Sequence, residues 1–154
     1  METMENRNTV QLRIHHVFDI IRDIGAGREF TPHPYGHSYH LLADRLRREG
    51  DLQIRLIIEN DEICRGCTHL SGGQCTDTIS HRTDFSMKQD FNDYLDRRIL
   101  SCLGIDAGLV LPFRELLSLG GRYLDQIEEI YRGNDRDNTL RRAENVRRGL
   151  EQLR

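Results

Sequence analysis

Three of the chain's four cysteines fall in one stretch, Asp61-Glu62-Ile63-Cys64-Arg65-Gly66-Cys67-Thr68-His69-Leu70-Ser71-Gly72-Gly73-Gln74-Cys75, with the spacing C-x2-C-x7-C. Two thiols separated by two residues can reach one ion from a single tight turn. Gly66 and the Gly72-Gly73 pair let the backbone fold back, so that the third sulfur arrives on the same side. Soft thiolates in this pattern suit zinc or an iron–sulfur cluster and disfavour magnesium or calcium. The same spacing also fits a redox dithiol or three buried free thiols. With the sulfurs of Cys64, Cys67 and Cys75 as the first donors, one coordination corner is left.

Five residues are candidates for that corner. His15 and His16 stand side by side where a strand or loop runs into a helix, and either can offer a ring nitrogen. Asp19 follows His16 by three residues and shares a helix face with it; its other reading is a solvated carboxylate. His69 can ligate or donate a hydrogen bond to a sulfur. Cys102 lies on an apolar helical stripe, where a cysteine is ordinarily a small buried hydrophobe. A second group, His33, His37 and His40 with Tyr35 and Tyr39, falls in a loop that could cover the site and supply acid–base groups. Its alternative reading is a surface loop with scattered histidines.

The elements around these residues follow from periodicity. Val10-Gln11-Leu12-Arg13-Ile14 alternates as a short strand, and Val17, Ile20, Ile21 and Ile24 recur at helical spacing up to Gly25. Residues 25–37 hold three glycines and two prolines and read as a loop. Ser38 can cap a helix with Tyr39, Leu42, Ala43 and Leu46 inward, ending at Gly50. Leu52 to Ile58 reads as a largely buried strand that delivers the chain into the cysteine loop. The two strands can pair, which would bring the histidines to the cysteines. Residues 76–88 show no pattern. A helix is expected from Lys88 to Leu103, with Gly104 at its end, and another from Phe113 to Leu119 behind Pro112. Leu124, Ile127 and Tyr131 mark a further helix. Thr139 can cap a last one, with Leu140, Ala143, Val146, Leu150 and Leu153 inward. The expected fold is α+β: a mostly helical single domain over residues 9–154 with a small two- or three-stranded sheet and a cysteine-rich metal loop. Residues 1–8 are expected to be a flexible tail.

Composition limits what such a domain does. Apolar residues make up 37% and charged residues 31% of 154, the balance of a globular domain. The net charge of -3 gives no footprint for nucleic acid. Arginines at 141, 142, 147 and 148 are interrupted by Glu144 and Glu151, which reads as a solvated helix face. No apolar run is long enough for a membrane span, and residues 1–8 carry no secretory signal, so a cytoplasmic location is expected. In that compartment C-x2-C favours metal or redox chemistry over a disulfide. Dinucleotide, P-loop and H-E-x-x-H signatures are absent, as is the ferredoxin run C-x2-C-x2-C.

Leu12-Arg13-Ile14-His15-His16-Val17-Phe18, the strand entering Asp61-Glu62-Ile63-Cys64-Arg65-Gly66-Cys67, Leu95-Asp96-Arg97-Arg98-Ile99-Leu100 and Leu111-Pro112-Phe113-Arg114-Glu115-Leu116-Leu117 together resemble the small bacterial and archaeal domains of unknown function numbered 1284. The resemblance covers residues 12–119, so residues 122–154 look like a C-terminal helical extension. It implies a small iron–sulfur binding protein and brings no reaction with it. In that family's pattern a cysteine follows the double histidine by three residues; here Asp19 stands in its place. The expected function is therefore a metal-binding protein with an iron–sulfur cluster in a structural or electron-transfer role, working with a possible protein partner. The alternatives are a metal-dependent enzyme acting on a small molecule, and a structural zinc-binding interaction domain.

Overall fold

The computed structural model describes residues 9–153, so the expected tail at 1–8 lies outside the described residues. Strand β1 (Thr9–Leu12) leads at once into helix α1 (Ile14–Gly25), and α2 (Tyr39–Arg48) follows across the glycine-rich loop. Strand β2 (Gln53–Leu56) then lies parallel to β1, with Thr9 opposite Gln53 and Leu12 opposite Leu56. Parallel pairing puts the C-terminal ends of both strands on the same side. The first residues of α1 and the start of the cysteine loop therefore emerge together, the outcome expected if the two strands paired. The loop holds a short 3₁₀ turn (Glu62–Cys64) and a tiny hairpin, β3 (Leu70–Ser71) with β4 (Gln74–Cys75).

Helix α3 runs over Lys88–Leu103, the bounds that the periodicity gives, and Gly104 ends it with a left-handed φ of 69°. A third strand, β5 (Val110–Pro112), pairs antiparallel with β2 and gives the sheet order β1-β2-β5. It has only three residues, none fully buried, so it leaves no alternation to read. Helices α4 (Phe113–Ser118), α5 (Gly120–Asp125), α6 (Ile127–Ile130) and α7 (Arg136–Leu153) complete the chain. With 52% helix and two small sheets, this is a single α+β domain.

The core lies where α1 meets α3, α5 and α7. Val17, Phe18, Ile20 and Ile21 of α1 are fully buried, and Phe18 stacks flat on Tyr123 at 3.8 Å. Each such side chain contributes about 1.5–3 kcal/mol relative to exposure. Helices α1 and α7 meet backbone to backbone: a Cβ on Gly25 would stand 1.8 Å from the Asn145 carbonyl oxygen, and one on Gly149 would stand 2.0 Å from that of Ile21. Gly25 thus serves close packing rather than a helix stop; the chain turns at Ala26 and Gly27. Val146 and Leu150 join the common core, so the segment after residue 122 is built into the domain.

Two helix starts differ from the sequence reading. Thr139 is not a cap: α7 begins at Arg136, Asp135 accepts from the Asn138 N–H at 3.1 Å, and Thr139 is buried on the inner face. Leu140 is accordingly turned outward, 46% exposed. At α2, Ser38 occupies the capping position but its hydroxyl donates to the Arg65 carbonyl at 3.0 Å, a bond to the cysteine loop instead of its own helix.

Candidate functional site

The cysteine loop is fixed at both ends by side chains from other elements. At its start Asp61 is buried and accepts four donors: the Arg13 N–H at 2.8 Å, His16 Nδ1 at 2.6 Å, the Ile63 N–H at 3.1 Å and the Cys64 thiol at 3.6 Å. At its end the Cys75 N–H donates to Gln89 Oε1 of α3 at 3.0 Å. Between these ends the loop crosses the 26–38 segment. The Thr68 N–H donates to the Tyr35 carbonyl, the Ser38 N–H to that of Ile63, and a Cβ on either Gly36 or Gly66 would stand 2.8 Å from the other's carbonyl oxygen. Both glycines have positive φ, 76° and 81°, so other residues are strained there twice over.

This arrangement encloses a cavity of about 290 Å³ whose walls include Cys64, Cys67, Cys75, His16, Asp19 and His69. All four cysteines are free thiols. Burial and the charge of Asp61 push the Cys64 thiol up to about 11. Such a thiol is not poised as a nucleophile. Among the described residues, no three His, Cys, Asp or Glu side chains stand close enough to hold one ion in this arrangement.

The two histidines part company. His16 lines the cavity and places Nδ1 on Asp61, which leaves Nε2 of the neutral ring with its lone pair free. Burial opposes a charge on this ring, but the Asp61 carboxylate outweighs it and raises His16 above the ordinary histidine value. Burial likewise opposes ionisation of Asp61, yet His16 and the backbone donor Arg13 hold its carboxyl below the usual range. His15 is buried behind the cavity wall with Nδ1 on Asp96 at 2.7 Å. Asp96, fully buried, also accepts from the Arg13 guanidinium at 2.8 Å, and Arg13 reaches Asp93 at 2.9 Å. Asp93 in turn accepts from Gln89. Arg13 therefore ties the strand–helix junction to the α3 face that anchors Cys75.

Asp19 reaches the cavity with its charge already matched. Arg142 of α7 holds it at 2.6 Å and Arg22 lies at 3.5 Å. Burial is overcome by these two guanidiniums, and the carboxyl sits well below its ordinary range. Cys102 lines a different groove, with Tyr94, Arg98 and Ser101 on α3. Of the residues singled out by the sequence, the cavity thus gathers Cys64, Cys67, Cys75, His16, Asp19 and His69, and leaves out His15 and Cys102.

The opposite wall carries His33, Tyr35, His37 and Tyr39; His40 is not part of it. His33 and His37 stack at 4.3 Å, and Tyr35 meets His69 edge-on at 4.2 Å. The Tyr35 N–H donates to His33 Nδ1 at 3.1 Å and the Tyr39 N–H to His37 Nδ1 at 3.4 Å. A ring that accepts at Nδ1 carries its hydrogen on Nε2 when neutral. Burial and neighbouring His33 keep His37 below the ordinary histidine value. His33 and His37 are therefore built as N–H donors, whereas His16 is built as a nitrogen base.

Arg13, Asp61, Gln89, Asp93 and Asp96 position the site and were not singled out from sequence. A signal existed for one of them: Asp96 falls on the inward stripe with Ile99, Leu100 and Leu103, whereas Arg13 reads as an ordinary polar member of an alternating strand. No protein-family description matches the chain, and neither curated proteins nor solved structures give a match.

Proposed function

We propose that the chain is a cytoplasmic metal-binding domain in which Cys64, Cys67, Cys75 and His16 hold an iron–sulfur cluster. One observation carries the reading: the three loop thiols line the same cavity as a histidine whose Nδ1 is bonded to a buried carboxylate. Metal-bound histidines almost always make such a bond, because it fixes the tautomer and strengthens the nitrogen as a donor. The donor set suits soft metals, three thiolates and one imidazole, and the resemblance to the 1284 family favours iron over zinc. The donors are not gathered about one point in this arrangement, so loading requires the Cys64–Cys75 loop to draw inward, a movement its glycines permit. Asp19, paired with Arg142 and Arg22, tunes the charge beside the site and is not a ligand. Bound, the group supplies either a redox centre or a structural clamp.

Anaerobic purification with iron, sulfide and zinc analysis tests this. Stoichiometric iron and sulfide, lost on Cys64→Ser, Cys67→Ser or Cys75→Ser, is the expected result. Stoichiometric zinc without sulfide would select the zinc alternative with the same ligands. A folded protein free of iron, zinc and sulfide removes the reading altogether.

A second reading, an enzyme acting on a small molecule, draws on the cavity itself. The N–H donors of His33 and His37 face the same space as the thiols, where they can bond an oxygen of a molecule held beside the metal. The test is retention of metal with loss of small-molecule binding in a His33→Ala, His37→Ala double variant.

A further inference from the structure

On the other side of Arg22 lies a second, separate cavity of about 420 Å³, set between α1, the segment after it, and the first half of α7. Four arginines line it, Arg22, Arg28, Arg141 and Arg142, together with the amides of Asn138 and Asn145, and no carboxylate is among its lining residues. This is unexpected in a chain whose net charge is -3. The floor is rigid. Arg142 lies over the Tyr131 ring at 4.6 Å and is held by Asp19 at 2.6 Å, while Arg22 Nε is held by Asp23 at 2.9 Å. Each of these contacts uses only part of a guanidinium with five N–H donors. At the rim, Arg28 is 64% exposed and lies 3.3 Å from the already shared Asp23, and Arg141 bonds the neutral Asn138 side chain. Two carboxylates thus serve four guanidiniums, which leaves about two positive charges facing the opening.

We infer that this cavity binds a small phosphorylated metabolite, with its phosphate monoester between the guanidiniums and its hydroxyls on the asparagine amides. Forked guanidiniums match a phosphate's oxygens in pairs, which a lysine cluster would not. Asparagines that both donate and accept suit the hydroxyls of an attached polyol. The space exceeds what inorganic phosphate alone would fill. The site shares Arg22 with the thiol cavity but uses none of its proposed ligands, so it stands or falls independently of metal binding.

Thermal unfolding and calorimetric titration with ribose 5-phosphate, inorganic phosphate and unphosphorylated ribose as probes test the inference. At about tenfold the dissociation constant, ribose 5-phosphate should raise the midpoint by about 3 °C, inorganic phosphate by less, and ribose not at all. The Arg28→Ala, Arg141→Ala double variant, altered only at the rim, should keep its own midpoint and lose the shift. Binding should be equal in metal-loaded and chelator-treated protein, which separates this cavity from the thiol cavity. The inference is overturned if neither phosphate probe binds at millimolar concentration. It is also overturned if the double variant binds ribose 5-phosphate as well as the parent does, or if binding disappears with the metal.

Discussion

Arg13 is 1% exposed and holds two carboxylates of α3, while its backbone N–H binds a third at the head of the cysteine loop. A buried ion pair adds little net stability when intact, but removing one partner strands the other. Asp96→Asn should therefore destabilise the domain by about 3–5 kcal/mol in chemical denaturation. The pH dependence has the matching sign. Burial alone would raise the Asp96 carboxyl, but His15 and Arg13 hold it below its usual value. Its contribution is present above the unfolded value near about 4 and is lost as pH falls through the lower folded value. The parent's stability should drop in this acid range, and the drop should be smaller in Asp96→Asn; equal acid limbs would show that Asp96 does not carry it. The adjacent histidines should separate by readout. His16→Ala should weaken metal binding and strip the nitrogen ligand from the metal that stays bound, while the fold persists, and Asp61→Asn should weaken metal affinity by about 10–100-fold through His16. His15→Ala should destabilise the fold and spare the metal. Metal loss only in His15→Ala would reverse the assignment.

At the scale of elements, the crossing of the 26–38 segment over the cysteine loop leaves no room for a side chain at Gly36 or Gly66. Gly36→Ala would meet the Gly66 carbonyl and demand a left-handed alanine. It should cost about 1–3 kcal/mol and lower metal occupancy while the far-ultraviolet spectrum stays unchanged; unchanged occupancy would mean that the crossing does not position the thiols. Much of this level was legible in the chain. The cysteine spacing picked out three side chains that line one cavity, the β1–β2 pairing was one the strand patterns left open, and α3 keeps its bounds with Phe91, Leu95 and Ile99 inward, though Cys102 is only half-buried. The register of α7 was legible at Ala143, Val146, Leu150 and Leu153, but its start was not, because the helix begins at Arg136 and so turns Thr139 inward and Leu140 outward. Nor was the split between His15 and His16, since neighbours in a helix's first turn look alike until Asp61 and Asp96 arrive from 45 and 81 residues away.

At the scale of the whole molecule, the segment before residue 120 and the C-terminal helices share one core. Helix α7 lies on α1, and Arg142 of α7 neutralises Asp19 at the cavity wall. A chain ending at residue 121 should therefore fail to unfold cooperatively, as followed by circular dichroism; a sharp two-state transition would show that the extension is dispensable. Among the described residues no helix is long and apolar enough to cross a membrane. X-ray absorption at the iron and zinc edges of anaerobically purified protein tests the metal reading most directly. The expected iron spectrum has a shell of sulfur at about 2.3 Å with one lighter nitrogen scatterer, and the nitrogen signal disappears in His16→Ala. A folded protein with no metal at either edge, or a metal ringed only by nitrogen and oxygen, would contradict it.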